Sequence, residues 1–289
     1  MGRSPTKTPV GGRIRVGIGG WSYAPWRGTF YPKALPPARE LEFASRAVTA
    51  IEINATFYRL QPRTSFAAWA RTAPDGFAFA IKGSRYSSNR RNLADQGDSL
   101  QRFFAQGLSA LGDKLGPILW QLMPTKRFDA DEIRDFIALL PGKLDGLELR
   151  HAIEARHESF RTPEFVRLLR DRGIANVVAD SDEYPQIADV TADFVYARLQ
   201  NARATLTHGY SPAGLDAWAQ TATQWSRGEK PTSLQYASTQ VAPRSPRDVF
   251  IFVIDGAKAR APAAARALLQ RLDPSEAKAA APRRGAARA

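Results

Sequence analysis

The sequence predicts an α/β fold, a single (β/α)8 TIM barrel with eight parallel strands. Eight short, β-rich apolar runs recur between residues 14 and 254, and helical patterns lie among them. Strands that alternate with helices form parallel βαβ units with right-handed crossovers. Eight such units in a chain of 289 residues fit a closed barrel better than an open doubly wound sheet.

The predicted strands follow one another along the chain. They span residues 14–18, 50–54, 77–82, 118–122, a segment within 144–156, 176–180, 194–199 and 249–254. The fifth strand is ambiguous because 147–150 and 153–156 both alternate apolar and charged residues. Either choice places a Glu and an Arg on one face, with a His next along the chain.

The predicted helices alternate with these strands. They lie near residues 38–48, 64–73, 99–111, 130–140, 162–172, 212–227 and 261–272. Thr162-Pro163-Glu164 is typical of a helix start, and Gly173 of a helix end. We therefore divide the chain into a disordered basic arm at 1–13, a barrel domain at 14–272 and a disordered tail rich in Ala, Arg and Pro at 273–289.

Composition narrows the class of protein. The absence of cysteine excludes disulfides, thiolate metal sites and a Cys nucleophile. No stretch approaches the roughly 18 uninterrupted apolar residues of a membrane span, and the arm lacks the apolar core of a signal peptide. We expect a cytoplasmic protein without membrane association. The net charge of +13 favours anionic partners, unless it reflects a general preference for arginine.

An aromatic loop follows the first strand. Five aromatic residues occur within residues 21–31, among glycines and prolines that rule out a regular helix. Rings held near solvent generally have a ligand to stack against. This makes Trp21, Tyr23, Trp26 and Tyr31 candidate binding residues. The alternative is that these rings close one end of the core.

Polar side chains follow the predicted strands at their C-terminal ends, which converge on one mouth in a barrel. Strand alternation places Glu52 and Asn54 on one face, and Lys82 ends the third strand. The other mouth residues are Tyr58, Arg85, Tyr86, Gln121, Asp180 and Arg198, and the ambiguous fifth strand adds either Glu148 with Arg150 or Glu154 with Arg156. Such a ring must pair internally or bind a ligand, because unpaired buried charge is strongly unfavourable.

Short motifs in a fixed order resemble a known family. They are Gly20-Trp21-Ser22-Tyr23, Trp26-Arg27-Gly28, Phe30-Tyr31-Pro32, Glu52-Ile53-Asn54-Ala55-Thr56-Phe57-Tyr58, Phe79-Ala80-Ile81-Lys82, Ser84-Arg85-Tyr86, Gln121-Leu122, Glu154-Ala155-Arg156-His157-Glu158-Ser159-Phe160, Val178-Ala179-Asp180, Phe194-Val195-Tyr196-Ala197-Arg198-Leu199 and Lys258-Ala259-Arg260-Ala261-Pro262. Together they resemble the YecE-like family of TIM barrels, known as domain of unknown function number 72. The resemblance covers residues 13–272 and implies that the fifth strand is 153–156. It implies no particular activity.

The sequence departs from that family at three places. Ser87-Ser88-Asn89 stands where the family usually has a His, and Gln200-Asn201 stands where it has His-Gly. Asp255-Gly256 replaces a pair that ends in Asn. Two imidazoles and an amide are therefore missing from the expected mouth, which argues against a mechanism that depends on histidine.

The leading hypothesis is a hydrolase or lyase that acts on an anionic, phosphorylated or sugar-containing ligand. Glu52 and Glu154 are the expected acid/base pair, with Lys82 and Asp180 as further catalytic candidates. No cofactor is predicted, although the three carboxylates could hold Mg²⁺ or Mn²⁺, which prefer oxygen ligands. The expected ligand-binding residues are Trp21, Tyr23, Trp26, Tyr31, Asn54, Tyr58, Arg85, Tyr86, Gln121, Arg156, His157, Arg198 and Asp255.

Two alternatives stay open at this point. The first is a nucleic-acid-binding barrel, with or without nuclease-like activity, in which the aromatic residues stack on bases. Its phosphate contacts would come from Arg27, Lys33, Arg85, Arg90 and Arg91. The second is a non-catalytic scaffold that binds a partner protein, although the sequence makes no partner protein evident. The sequence alone leaves open whether the protein is an enzyme.

Overall fold

The chain folds into a closed barrel of eight parallel strands, which confirms the predicted fold class. This computed structural model describes residues 11–273, so most of the predicted arm and tail lies outside the described residues. Each strand pairs with its neighbours in chain order, and the first pairs with the last. The strands are β1 Ile14–Gly19, β2 Ala50–Ile53, β3 Ala78–Lys82, β4 Leu115–Gln121, β5 His151–Glu154, β6 Ala175–Asp180, β7 Phe194–Leu199 and β8 Asp248–Val253.

The fifth strand occupies the second of the two alternating segments. The first segment instead forms an antiparallel hairpin, in which Leu147–Glu148 pairs with Lys143–Leu144. The hairpin turns at Asp145 and Gly146, whose φ angles of 48° and 83° are typical of a two-residue Asp-Gly turn. β5 begins two residues earlier than the predicted 153–156 and ends at Glu154.

In the described part of the chain, seven helices of at least eight residues surround the barrel, besides several shorter helical turns. They are α1 Glu40–Ala47, α2 Arg63–Thr72, α3 Gly97–Ala105, α4 Ala130–Ala138, α5 Pro163–Asp171, α6 Pro212–Ser226 and α7 Ala261–Leu272. The side chains of Asp129, Thr162 and Ser211 accept backbone hydrogen bonds at the starts of α4, α5 and α6, which are N-cap interactions. β6 and β7 are joined by the irregular segment 181–193, with no helix between them in the structure as described.

The barrel lumen is filled by small residues opposite large ones. Alanines line β2, β3 and β5, whereas rings from β7 and β8 fill the space across from them. These rings are Phe194, Tyr196, Phe250 and Phe252. At the N-terminal end, Arg15 and Arg150 both pair with Asp248 and lie over the ring of Phe250. The lumen therefore opens at the C-terminal ends of the strands.

Between residues 11 and 273, no helix combines the length and the apolar character needed to cross a membrane.

Candidate functional site

A cleft of about 820 Å³ lies at the C-terminal mouth of the barrel. Its size suits a small-molecule ligand. Residues of β2, β3, β4 and β7 and of the loops after β1, β2, β5 and β8 line it. The lining residues that matter for its chemistry are Trp21, Asn54, Phe57, Tyr58, Trp69, Lys82, Gln121, Arg156, Arg198 and Asp255.

Arg198 is the central cation beneath this cleft. It lies on β7 with its side chain 1% exposed, and it binds Glu52 of β2 through two hydrogen bonds. Arg198 Nε lies 3.2 Å from Glu52 Oε2, and Nη2 lies 3.2 Å from Oε1. The Tyr196 hydroxyl donates a further hydrogen bond to Glu52 Oε2 at 2.7 Å. Glu52 is therefore fixed by three donors and is fully buried.

Glu154 is held by the same guanidinium from the other side. Arg198 Nη1 donates to Glu154 Oε2 at 2.7 Å, and Gln121 Nε2 donates to the same oxygen at 2.6 Å. Gln200 Nε2 donates to Oε1 at 2.8 Å, and Arg156 Nη2 lies 3.5 Å from that oxygen. Burial alone would raise the pKa of Glu154, but Arg198 and Arg156 outweigh it and lower the pKa to about 2.

The buried triad of Glu52, Arg198 and Glu154 is thus a closed unit. Burial alone would lower the pKa of Arg198, but the two glutamates outweigh it, so its pKa lies above the ordinary value. Both carboxylates lie beneath the residues that line the cleft, and their oxygens accept hydrogen bonds from the donors named above. An ionised, fully bonded carboxylate is a weak proton acceptor. The triad therefore acts as a fixed support for the floor of the cleft.

Lys82 lies at the end of β3 with 8% of its surface exposed. Its Nζ sits 4.2 Å from the centroid of the Phe57 ring, in a cation–π contact. Burial, reinforced by Arg198, lowers the pKa of Lys82 to about 8, although Glu52 and Glu154 pull it upward. Lys82 therefore places in the wall of the cleft an amine that loses its proton more easily than an ordinary lysine does.

Arg156 joins the cleft to a second one. Its guanidinium lies over the ring of Tyr184 at 4.2 Å, and Nη1 is 3.3 Å from the Tyr184 hydroxyl. The side chain is 12% exposed, and its Nε, a buried donor, has no hydrogen-bond partner among residues 11–273. A buried donor without a partner is unfavourable, so Arg156 has capacity left for a ligand.

Two expected mouth residues line the second cleft instead. Asp180 lies at the end of β6, where Ala175 and Val177 face the lumen, so its side chain points to the opposite face. Its carboxylate accepts hydrogen bonds from Tyr210 and Asn201. His157 caps a short helical turn, since its Nδ1 accepts from the backbone N–H of Ser159. Both line the neighbouring cleft of about 590 Å³.

The aromatic loop divides between core and cleft. Trp26 and Tyr31 are 0% and 2% exposed, which favours the alternative of a core plug for Tyr31, whereas Trp26 is packed in the core and also forms part of the cleft wall. Trp26 Nε1 donates to the Lys258 carbonyl, and the Tyr31 hydroxyl donates to the Trp21 carbonyl. Tyr23 packs edge-on against Trp26. Trp21 itself lines the cleft, packed edge-on against Trp69.

Two tyrosines near the cleft stay exposed. Tyr58 and Tyr86 are 61% and 48% exposed, and the guanidinium of Arg85 lies 6.0 Å and 5.2 Å from their ring centroids. Arg90 lies 5.3 Å from the ring of Tyr86. These four residues, the tyrosine–arginine rim, form an aromatic and cationic surface beside the cleft.

The expected metal ligands do not form a cluster. Among residues 11–273, no group of three or more His, Asp or Glu side chains could hold a metal ion. Glu52 and Glu154 are bound to Arg198, and Asp180 faces the second cleft. These carboxylates therefore do not present the several free oxygens that Mg²⁺ or Mn²⁺ requires.

Sequence reasoning missed three residues that shape the site. Tyr196 and Gln200 lie two positions before and after Arg198, and each holds one of the two glutamates. Strand alternation could have placed both on the lumen face, because side chains on one face recur at every second residue. The sequence indicated only that Phe57 lies in the loop after β2. Its contact with Lys82 depends on how that loop folds.

The fold and the cleft together define the class of protein: a TIM barrel with a cleft at the C-terminal ends of the strands, the place where barrel enzymes carry their active sites. The chain belongs to the family described as protein of unknown function DUF72, whose family model matches residues 15–287.

Relatives with this architecture are distant in sequence. The chain is 24% identical over 212 residues to the UPF0759 protein YunF of Bacillus subtilis (strain 168), with 70% of this chain and 72% of that protein covered. It resembles the DUF72 family protein TM1631 from Thermotoga maritima MSB8, at a TM-score of 0.67 and 21% identity over 89% of this chain and 97% of that one. For EF0366 from Enterococcus faecalis V583, the TM-score is 0.62 and the identity 16% over 90% and 96%. The two structural likenesses show the fold alone.

Proposed function

We propose that this protein is an enzyme, a lyase or hydrolase, that binds an anionic, phosphorylated or sugar-containing small molecule in the barrel mouth. The distribution of charge supports the proposal. Lys82, Arg156 and Arg198 line the cleft, whereas the two glutamates lie deeper and are already paired. Cations that line a cleft with low-dielectric walls raise the local concentration of anions.

The reactive group in this proposal is the lysine. Glu52 and Glu154 serve as counter-ions that hold Arg198. This role replaces the acid/base role that the sequence analysis expected of the two glutamates. Lys82 faces the ligand and carries a strongly lowered pKa. Perturbed titratable groups in a cleft are characteristic of catalytic sites. Lys82 would transfer protons or bond to the ligand, and Arg156 would bind its anionic group.

Phosphorylated sugars test the proposal directly. Trp21 and Trp69 line the cleft, so tryptophan fluorescence reports ligand binding there. We expect ribose 5-phosphate to bind at least tenfold more tightly than ribose, because each charge-assisted hydrogen bond adds about 1.5–3 kcal/mol. Arg156→Met should weaken ribose 5-phosphate binding at least tenfold.

The control for this experiment is Lys143→Met on the hairpin. Lys143 is 69% exposed and pairs with Glu148, far from any cleft-lining position. This variant removes one positive charge from the protein and should leave ribose 5-phosphate binding unchanged. Equal affinities for ribose and ribose 5-phosphate, or equal losses in both variants, would contradict the proposed anion site.

The tyrosine–arginine rim favours single-stranded nucleic acid as a second candidate ligand. Exposed rings that alternate with arginines can stack on bases and contact phosphates. We expect Tyr86→Ala to weaken binding of a fluorescent oligothymidylate about five- to hundredfold, the effect of losing about 1–3 kcal/mol of stacking. Raising salt from about 50 to 200 mM should weaken it about tenfold if two or three phosphates are neutralised. An affinity unchanged by Tyr86→Ala would exclude this candidate.

A further inference from the structure

Lys82 is a buried amine without a counter-ion. Within residues 11–273, its Nζ makes the cation–π contact with Phe57 and no hydrogen bond or ion pair. A lysine that served stability alone would pair with a carboxylate. Glu52 and Glu154 are the nearby candidates, yet both are occupied by Arg198. Ion pairing therefore does not explain why a lysine is buried at this position. Its amine instead faces the cleft, where it can contact a ligand.

Two glutamates and two arginines face Lys82 and shift its pKa in opposite directions, the glutamates upward and the arginines downward. They come from three other strands of the barrel: Glu52 on β2, Glu154 and Arg156 at or just after the end of β5, and Arg198 on β7. Burial is the largest influence on the Lys82 pKa, and it acts in the same direction as the two arginines. Desolvation in an apolar setting and proximity to another cation are the two means by which proteins make a lysine nucleophilic.

We propose that Lys82 forms a Schiff base, and that its substrates are aldehydes or ketones that also carry a phosphate or carboxylate group. This inference rests on the proposed function, because Arg156 would bind the anionic group. The neutral Nζ attacks the carbonyl carbon, so that a C–N bond forms as the C–O π bond breaks. The carbinolamine then loses one water, whose two protons are those that Nζ gives up, and the C=N bond forms. No oxidant or reductant takes part.

Other lining groups suit this sequence of steps. Asp255 lines the same cleft with its side chain exposed, and no hydrogen bond or ion pair engages it in the described part of the chain. Its φ of 64° is a left-handed conformation, uncommon for residues other than glycine and often seen at functional sites. Asp255 would carry protons between Nζ and the departing oxygen. The resulting imine withdraws electrons from the neighbouring carbon bonds, which is lyase chemistry.

Reductive trapping tests the Schiff base. The full-length protein is incubated with dihydroxyacetone phosphate or with pyruvate in the presence of cyanoborohydride, and adducts are located by peptide mass spectrometry. We expect one adduct per chain at Lys82, formed at least tenfold faster than at any other lysine. Lys82→Arg keeps the charge but cannot form an imine, so it should remove this adduct. Arg156→Met should slow its formation at least fivefold.

The outcomes separate this inference from the proposed function. Labelling spread evenly over surface lysines, or no adduct at Lys82 with either probe, would overturn the Schiff base. The same preparations are titrated with ribose 5-phosphate. Saturable binding without an adduct at Lys82 would leave the anion site standing and remove only the covalent step. Failure of both measurements would remove both.

Discussion

Replacing Arg198 with methionine is expected to lower the free energy of unfolding by about 3–5 kcal/mol. The side chain is 1% exposed and binds two fully buried carboxylates. Without it, Glu52 and Glu154 would face each other inside the barrel with only weaker donors, and each would have to be protonated or hydrated. Urea unfolding monitored by circular dichroism measures the loss.

A neutralised triad provides the control for that prediction. Combining Arg198→Met with Glu52→Gln and Glu154→Gln removes the stranded charges together with the cation. We expect this triple variant to regain most of the lost stability, because uncharged groups avoid the desolvation cost of a buried ion. A single variant within about 1 kcal/mol of the wild type would contradict the closed triad, as would a triple variant no more stable than the single one.

Lys82→Met is expected to have the opposite effect on stability, raising the free energy of unfolding by about 2–3 kcal/mol at pH 7. The pKa of Lys82 is about 8 in the fold against 10.5 for the free side chain, so the fold disfavours its charged form. Methionine removes this cost. The same change should abolish the Lys82 adduct and weaken anion binding, a stability gain at the expense of function.

The difference in unfolding free energy between the wild type and Lys82→Met should depend on pH in a definite direction. Between about pH 8 and 10.5 the unfolded chain holds the Lys82 proton that the folded chain has lost. Wild-type stability relative to Lys82→Met should therefore rise with pH across this window. The advantage of the variant should be complete below pH 8, fade between pH 8 and 10.5, and be absent above 10.5. Urea unfolding of both proteins at several pH values measures the difference.

Lys126 is the matched control. It is also 8% exposed, but its Nζ pairs with Glu132 and donates to the Arg91 carbonyl. Lys126→Met should therefore lower stability where Lys82→Met raises it, because it leaves Glu132 and a carbonyl without their partner. Destabilisation by both substitutions to a similar extent would mean that Lys82 is a structural lysine.

Most of the barrel architecture could be predicted from the sequence. All eight barrel strands were predicted near their observed positions, because β-rich runs separated by helical patterns have few alternatives to a parallel barrel. The same alternation placed Glu52, Lys82 and Gln121 on the lumen face, since each lies two residues after a lumen residue. The choice between two candidates for the fifth strand needed the family resemblance, because both have the same pattern.

The errors at the site have physical causes. Asp180 was expected in the lumen, but successive side chains of β6 point in opposite directions. Because β6 is buried on both faces, its sequence shows no alternation that would tell the lumen face from the helix face. Tyr31 was expected near a ligand, yet it is buried, and its hydroxyl donates to the Trp21 carbonyl, which only the folded loop brings close. The pairing of Arg198 with Glu52 joins residues 146 positions apart. It depends on closure of the barrel, and no local pattern encodes it.

The titration of Lys82 tests the central claim most directly. Protein carrying ¹³C-labelled lysine is titrated by NMR, and the Lys82 signal is assigned by its absence in Lys82→Arg. We expect a midpoint near pH 8, which moves upward when inorganic phosphate binds, because an anion stabilises the charged amine. A midpoint near 10.5 that phosphate leaves unchanged would show that Lys82 is an ordinary lysine and would contradict this account of the mouth.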